Sequence, residues 1–556
     1  MSNTITHRPA LGQVAAIGSL YDATTDKFLS RSIFNKNLPL DAVVQNSNPK
    51  TDVHVNYVDT FKSRFDEIGL SPDLSASVLA GLVPLRGSAL FLDEHRDSNL
   101  ILQAAIRHKI ITTQEKLNFM SNELKTCVAT PNISTREATH VVTEIEWGAQ
   151  SIISIRHRAP VNVDTTQVER QFRASVDHFE RALNGAGSQY NGHVDSDLPL
   201  AITIYGDVLA ETGLQMADSQ NASEFLGLVP QNLKHQNHGK GTPLVYTLVP
   251  VGMLPMFLPI TVEANSIATP PSPDCLQRFI SLFDQIIAAQ RKMNDYQSFV
   301  KRHELYIPAD HVRMVSNIIE SMRVARANIK SLYAEILHDS RRGTTDPSKL
   351  WDLLKDPRLP EFSPQNISDI TESQRQKVEF INAMVANGAT YIGYNDIDTK
   401  VELSRTYNTN AYIFSFTTAS MKDQRTWNGN QKLLLELLQD RRQNVFIAIV
   451  DEDARGKVLE TSRIAHFREG KEVAGDMLEQ RQFLAEKCFA RYARGSLDTD
   501  NVQKPLKRRF VKMACPGRHC DHNQAPDWIC SECHAPIEYG YSDSFIYCDC
   551  GRSLYR

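Results

Sequence analysis

The chain has 556 residues, enough for three or four domains, and its 61 basic and 65 acidic side chains nearly cancel, leaving a formal charge of −4. That balance excludes a global electrostatic case for nucleic acid or an anionic membrane, and a hydrophobic content of 41% is ordinary for a globular protein. The opening residues MSNTITHRPALG hold no basic run and no apolar core, so no secretory leader is expected, and the protein is expected to be cytoplasmic or released without a signal peptide.

Residues 18–22 (GSLYD) read as a strand entering a turn at residues 24–27. Val58, Phe61, Phe65 and Ile68 recur at helical spacing, with Lys62, Arg64, Asp66 and Glu67 predicted to face water. Residues 87–92 read as a strand. Residues 138–158 (ATHVVTEIEWGAQSIISIRHR) alternate apolar and polar side chains on either side of Gly148, which predicts two strands meeting at a bend. Without a Cβ, Gly148 permits a kink or bulge and is the candidate hinge. His140 and His157 flank this stretch and read as structural residues. Val168, Phe172, Val176, Phe179 and Leu183 follow at steps of four, four, three and four, the stripe of an amphipathic helix ended by the glycines at 185 and 187. Residues 241–262 carry no charge, yet Pro243, Pro250, Pro255 and Pro259 would break any spanning helix, so residues 244–249 read as a buried strand before a Pro-rich turn.

Residues 269–273 (TPPSP) mark a linker. Asp274 is placed to cap a helix that turns Leu276, Phe279, Phe283, Ile286 and Ile287 to one side. A second helix follows Pro308 with Val312, Val315, Ile319, Met322, Ile329, Leu332 and Ile336 inward. A third starts near Ser368 and stops at Gly388, with Val378, Ile381 and Val385 inward. Three such helices form an antiparallel bundle. Beyond it, residues 411–417 (AYIFSFT) and 444–450 (NVFIAIV) are buried strands on either side of a helix containing residues 433–438. Residues 463–467 and 471–473 pair around Glu469-Gly470, and a helix follows over residues 477–492. This β-α-β, hairpin, helix order is that of the thioredoxin fold. Thioredoxin chemistry requires Cys-x-x-Cys at the head of a helix, whereas this region holds only Cys488, so no redox activity is expected.

Three cysteines (Cys127, Cys275, Cys488) stand alone and six crowd the tail. Cys530-x2-Cys533 and Cys548-x-Cys550 have the paired spacing of a zinc ribbon, and Cys515, Cys520, His519, His522 and His534 could build a second site. A tail of about 40 residues cannot bury a sufficient core unaided, so zinc is the expected stabiliser, with disulfides the rival reading. The module is also a candidate docking site for a protein partner. The basic run Lys504, Lys507, Arg508, Arg509 and Lys512 reads as a solvated linker, and no nucleic-acid partner is expected.

The wording of two stretches goes further. ATHVVTEIEWGAQ (residues 138–150), and Gly12 followed by IGSLYDATTDKFL (residues 17–29), resemble segments of the stonustoxin family, the two-subunit fish venom cytolysins and their non-venom relatives. The resemblance implies a divergent perforin and cholesterol-dependent cytolysin (MACPF/CDC) domain whose helical clusters unfurl into membrane-inserting hairpins, then a helical domain and a thioredoxin-like domain. The expected architecture is therefore α+β and multidomain: a MACPF/CDC-like bent sheet with flanking helices in residues 1–265, a helical bundle in 274–388, a thioredoxin-like α/β domain in 389–497 and a zinc module in 513–556. The venom members carry a C-terminal PRY/SPRY domain where this chain shows the Cys/His tail. The implied activity is pore formation by oligomers of the chain itself or with a paralogous subunit, on a membrane. The alternative is a soluble scaffold that keeps the architecture. An enzyme has no supporting motif here: no P-loop, no HExxH and no dithiol. The stripe Val168, Phe172, Val176, Phe179 and Leu183 is the candidate insertion segment. As a strand, Arg170, His178 and Glu180 would share its apolar face, and an Arg facing lipid near mid-bilayer costs roughly 2–4 kcal/mol.

Overall fold

A single strand of 19 residues organises the first part of the molecule. In the computed structural model, residues 5–57, 60–129, 137–160, 165–184, 198–208, 213–216, 219–260, 271–356, 359–394, 410–439, 445–480, 537–539, 545–548 and 552–555 are described. They divide into two compact units, Met1–Ser298 with Val315–Ser368, and Phe299–Met314 with Asp369–Arg556.

In the first unit the described strands are β1 (Thr6–Pro9), β2 (Ser19–Asp22), β3 (Lys27–Ser32), β4 (Val43–Asn56), β5 (Ile101–Leu117), β6 (His140–Arg158), β7 (Ala201–Gly206), β8 (Leu214–Met216) and β9 (Thr242–Pro250). The expected pair of strands at residues 138–158 is thus one continuous strand, β6, because β5 stays hydrogen-bonded to it from Lys116↔Glu144 through Ile101↔Arg158. The other edge of β6 changes partner half-way, from β9 at His140–Gly148 to β7 at Ser151–Arg156. All these pairings are antiparallel.

Helices α1 (Phe61–Ile68) and α2 (Pro72–Ala80) lie between β4 and β5, and their ends follow local chemistry. Thr60 and Ser63 form a capping box on α1, Ser71 caps α2 with Pro72 as its first residue, and Gly69 and Gly81 close the two helices at φ of 75° and 76°. Arg64 and Glu67, expected in water, are buried, because Arg107 of β5 pairs with Glu67, and Gln103 of β5 and His95 just before that strand meet Arg64. Residues 87–92, expected as a strand, form a 3-10 helix (Gly87–Asp93) that drives Phe91 against Ala105 and Ile152. A short helix α3 (Asn122–Lys125) joins β5 to β6. Helix α4 (Thr165–Asn184) matches its predicted span, and α5 (Ser219–Gly227) and α6 (Val229–His235) pack beside it.

Helices α7 (Pro273–Arg302) and α8 (Ala309–Arg342) run antiparallel, with Phe279 and Tyr333 rings 4.3 Å apart near one end and Gln297 bonding Ser316 near the other. The cap of α7 is Ser272, whose hydroxyl accepts from the Cys275 amide. Asp274, expected in that role, pairs instead with Arg278 one turn on. Leu332, expected inward, is 41% exposed, because Ile329, Tyr333 and Leu337 fill that face. A short helix α9 (Ser348–Leu353) leads to α10 (Pro364–Ala386), where Val378, Ile381 and Met384 are buried and Val385, also expected inward, is exposed.

The second unit holds a five-stranded sheet of β10 (Thr390–Ile392), β11 (Asn410–Phe416), β12 (Val445–Asp451), β13 (Arg463–Arg468) and β14 (Lys471–Ala474) in the order β10-β12-β11-β13-β14. Helix α11 (Gln424–Gln439) connects the parallel β11 and β12. The β13–β14 hairpin turns at Glu469 and Gly470 with φ of 50° and 75°, the positive values that a tight hairpin turn requires. In the tail, β15 (Ile537–Tyr539), β16 (Phe545–Cys548) and β17 (Arg552–Tyr555) form a three-stranded antiparallel sheet.

Candidate insertion segments of the bent sheet

Strands β4, β5, β6 and β7 lie side by side and antiparallel. The pairs Asn56↔Ala105, Ile101↔Arg158 and Arg156↔Ala201 therefore put the end of β4, the start of β5, the end of β6 and the start of β7 at one end of the sheet. Both long connections leave from that end: residues 57–100, carrying α1, α2 and the 3-10 turn, and residues 159–200, carrying α4.

The two connections are docked by different chemistry. Helix α4 buries Val168, Phe172, Val176 and Phe179 on Ala104, Ile106, Ile153, Ile155, Ile202 and Ile204 of the sheet, and Leu183 is partly buried at the end of the stripe. Its polar contacts are peripheral. Tyr57 donates to Asp177 at 3.1 Å, and the Arg173 guanidinium sits 4.2 Å over the Tyr57 ring. Burial and the Asp177 charge push the Tyr57 hydroxyl up to about 12.

The first connection covers a polar part of the opposite face. Glu67, with a side chain only 1% exposed, lies 3.7 Å from Arg107 and 3.2 Å from His54. Glu94 accepts from Gln103 at 3.0 Å and pairs with Arg156 at 3.3 Å, while Gln103 also donates to Ser154. Arg64 reaches Gln103 and lies 5.5 Å over Phe91. Burial, with Arg64, Arg326 and Arg291 nearby, pulls the His95 imidazole down to about 4. Such buried pairs recover little net stability over apolar packing, but they are costly to break singly.

Two irregularities of the ladder meet at Gly148, the candidate hinge. A Cβ there would stand 1.9 Å from the carbonyl oxygen of Ile110 and 2.9 Å from the Leu244 side chain. Register shifts occur on both flanking strands at this level, between Ile111 and Thr113 of β5 and opposite Glu146/Trp147 on β9. The Thr112 hydroxyl, left over at the first shift, donates to the carbonyls of Trp147 and Lys240. Bulges sharpen local bending and twist, and here two flank one glycine.

Residues 5–264 match the family described as "SNTX, MACPF/CDC-like domain". The first domain belongs to this stonustoxin-type MACPF/CDC-like family. The chain is 19% identical to stonustoxin subunit beta of Synanceia horrida over 380 residues, 67% of this chain and 52% of that protein. It is 27% identical to cytolytic toxin-beta of Scorpaena plumieri over 192 residues, 34% of this chain and 27% of that protein. It thus spans about half the length of the stonustoxin subunit it matches. A solved stonustoxin structure superposes with a TM-score of 0.51 at 16% identity, covering 85% of this chain and 70% of that one, which supports a shared fold. Residues 383–482 match a second family, described as a domain of unknown function.

Within the MACPF/CDC-like domain, Gly148 and the stripe Val168, Phe172, Val176, Phe179 and Leu183 belong to one body: the irregular point of β6 and the helix docked on the same sheet. The motif DATTD is a turn device. Asp22 accepts from the Thr24 amide and from both threonine hydroxyls, and Asp26 accepts from Tyr21. Cys515, Cys520, His519, His522, Cys530, Cys533, His534 and Cys550 lie outside the described residues, as does Cys488, and Cys548 is described only as the last backbone position of β16. No helix among the described residues is long and apolar enough to cross a membrane.

The sequence reading missed one further cluster, in the second unit. Lys377 of α10, with no exposed side-chain surface, pairs with Asp451 and, at 3.0 Å, with Asp453. Tyr391 donates to Asp451 at 3.2 Å, and Tyr394 lies 3.2 Å from the ammonium. Two carboxylates hold the ammonium charged against its burial. Asp453 also accepts from the amide and hydroxyl of Thr418, at the ends of the parallel strands. The groups of this network satisfy one another, so it reads as a tie between α10 and the sheet.

Proposed function

We propose that this chain is a pore-forming or membrane-perturbing protein that acts by oligomerising its MACPF/CDC-like domain and converting residues 57–100 and 159–200 from helices to hairpins. The observation that carries the reading is topological. Two helix-bearing connections leave the same end of four adjacent antiparallel strands, so each can extend the strands it joins without changing their register. As a strand, residues 168–176 would place Val168, Phe172, Ala174 and Val176 on one face, with Arg170 near its start. Glu169, Gln171, Arg173 and Ser175 would lie on the other. That is nine residues of alternation, within the roughly 9–11 that a membrane strand needs.

Matched relatives include subunits designated alpha and beta, which supports assembly with a second copy or a paralogous subunit. The sheet order β12-β11-β13-β14, with a helix between the parallel pair, supports a thioredoxin-like reading of the second unit. At the head of its helical segment stand Thr417-Thr418-Ala419-Ser420, where the Thr417 and Ser420 hydroxyls accept from each other's backbone amides, which supports a non-enzymatic role. The Cys/His tail is proposed to hold zinc.

The test is dye release from vesicles by the full chain, with an engineered disulfide tying α4 to the sheet beneath it. Release that appears only on reduction supports the conversion. A protein that never releases dye, oxidised or reduced, would instead be a soluble scaffold.

A further inference from the structure

We propose that the α7–α8 hairpin is the latch of the first segment, so that residues 57–100 unfold from the sheet only after this hairpin moves, while residues 159–200 open without it. The inference rests on the pore-forming reading above and adds what controls one of its two moving parts.

Beside the peripheral Tyr57–Asp177 bond, four carboxylates outside the segment accept hydrogen bonds from it, at four points along its length. Asp284 of α7 accepts from the Phe61 amide at 2.7 Å, at the start of α1. Asp26 of the β2–β3 turn accepts from the Ser77 hydroxyl in α2. Asp207, after β7, accepts from the Ser88 amide at 2.9 Å. Asp295 of α7 accepts from the Ser98 hydroxyl and, at 2.9 Å, from the Asn99 amide. Arg341 of α8 completes the set. Its guanidinium, 1% exposed, donates to the Ser77 hydroxyl at 2.6 Å, to the Asp73 carbonyl at 2.9 Å and to Asp26 at 3.0 Å. Phe65, Ile68, Leu74, Val78 and Leu79 pack with Phe279, Phe283, Ile329 and Tyr333 in the same core. The hairpin therefore holds the segment by polar pins at three places and by its apolar face. By contrast, among the described residues the core that docks α4 contains none from α7 or α8.

The distribution of charge suits a latch that outlives its release. At these points the ions stay on the body, and the segment contributes only amides, hydroxyls and a carbonyl. When the segment leaves, Arg341 and Asp26 still neutralise each other, and the freed neutral groups can bond to water or to a new strand. Elsewhere the segment does carry charge: Glu67 and Glu94 pair with Arg107 and Arg156 of the sheet, and those two pairs must also break when it leaves.

The test uses the full chain with Asp295→Ala, at a half-buried site that tolerates truncation, and Arg341→Met, which removes the central pin. Hydrogen exchange is read separately in the two segments, and dye release is read on phosphatidylcholine–cholesterol vesicles. Losing a hydrogen bond to a charged group should speed exchange in residues 61–100 by about tenfold or more, with α4 unchanged. Equal acceleration in both segments, or none in the first, overturns the latch. Should Arg341→Met fail to fold, Asp295→Ala alone decides, through exchange near Ser98 and Asn99. Faster exchange in the first segment with no dye release from any variant, wild type included, would sustain the latch and overturn the pore reading instead.

Discussion

Replacing Gly148 by alanine is the sharpest perturbation the structure offers. The new methyl would sit 1.9 Å from the Ile110 carbonyl oxygen, against an ordinary contact near 3.2 Å, so one strand must move by about 1.3 Å. The obstacle is backbone held in a ladder, not the end of a flexible side chain, so rotamer changes cannot relieve it. Overpacking typically costs about 1–3 kcal/mol, and a backbone clash places this substitution at the upper end, near 3 kcal/mol. In a folding unit of this size that corresponds to a fall of roughly 6–12 °C in Tm. Calorimetry of Gly148→Ala beside Gly252→Ala, where an added Cβ meets nothing within 4 Å, isolates the effect. A Gly148→Ala stability within about 0.5 kcal/mol of wild type would refute the claim that the strands depend on close approach at Gly148.

Other outcomes follow from single contacts. Phe172→Ala should cost about 3–5 kcal/mol by denaturant titration, because the ring is 2% exposed in the core beneath α4. Lys377→Met should destabilise the second unit by about 3–5 kcal/mol, since it leaves Asp451 buried without its cation, and adding Asp451→Leu should recover much of the loss. His95 is held at about 4, below its usual 6.5, so its contribution is whole above pH 6.5 and is lost as pH falls toward 4. In that window His95→Gln should lose roughly 1–3 kcal/mol less stability than wild type, read from unfolding at pH 7 and pH 4.5. If the tail holds zinc as proposed, chelation should release at least one zinc ion per chain by metal analysis and unfold the tail, because metal binding at such a site contributes folding free energy.

The parts of the fold that were legible in the sequence are those where one period rules. Val168 to Leu183 keeps the helical spacing over four turns, and α4 spans it. Gly148 interrupts a long alternation, and register shifts fall on the strands at either side of it. Glu469-Gly470 between two short apolar runs is a hairpin turn, and it has the positive φ values that a turn needs. Strand β5 escaped notice because ILQAAIRHKIITTQEKL mixes cations with apolar residues, while β4, VVQNSNPKTDVHVN, is largely exposed. Their identity comes from partners, β6 for one and β5 for the other, which no local window contains. The 3-10 turn at Gly87–Asp93 was mistaken for a strand for the same reason: GSALFLD is a short apolar run, whose period cannot separate the two.

The polar docking of the first segment was hidden more deeply. Helical periodicity assigns charged positions to water, yet Arg64 and Glu67 are buried, because a polar partner for the first and an ionic partner for the second, Gln103 and Arg107, arrive from 39 and 40 residues away. The pins on residues 57–100 are more distant still: Asp284 lies 223 residues from Phe61, and Arg341 lies 264 from Ser77. An aspartate on an amphipathic helix is ordinarily a solubilising residue, and nothing in the local pattern of α7 marks Asp284 or Asp295 as different. What distinguishes them is that each meets donors whose own helix or turn has no internal acceptor to offer. The Phe61 amide is at the open start of α1, and Asn99 lies just before β5 begins. Orphan donors at element ends must find an acceptor somewhere. In the first segment several of them find it on α7, which is why this helical region is the place to look for control over the segment proposed to move.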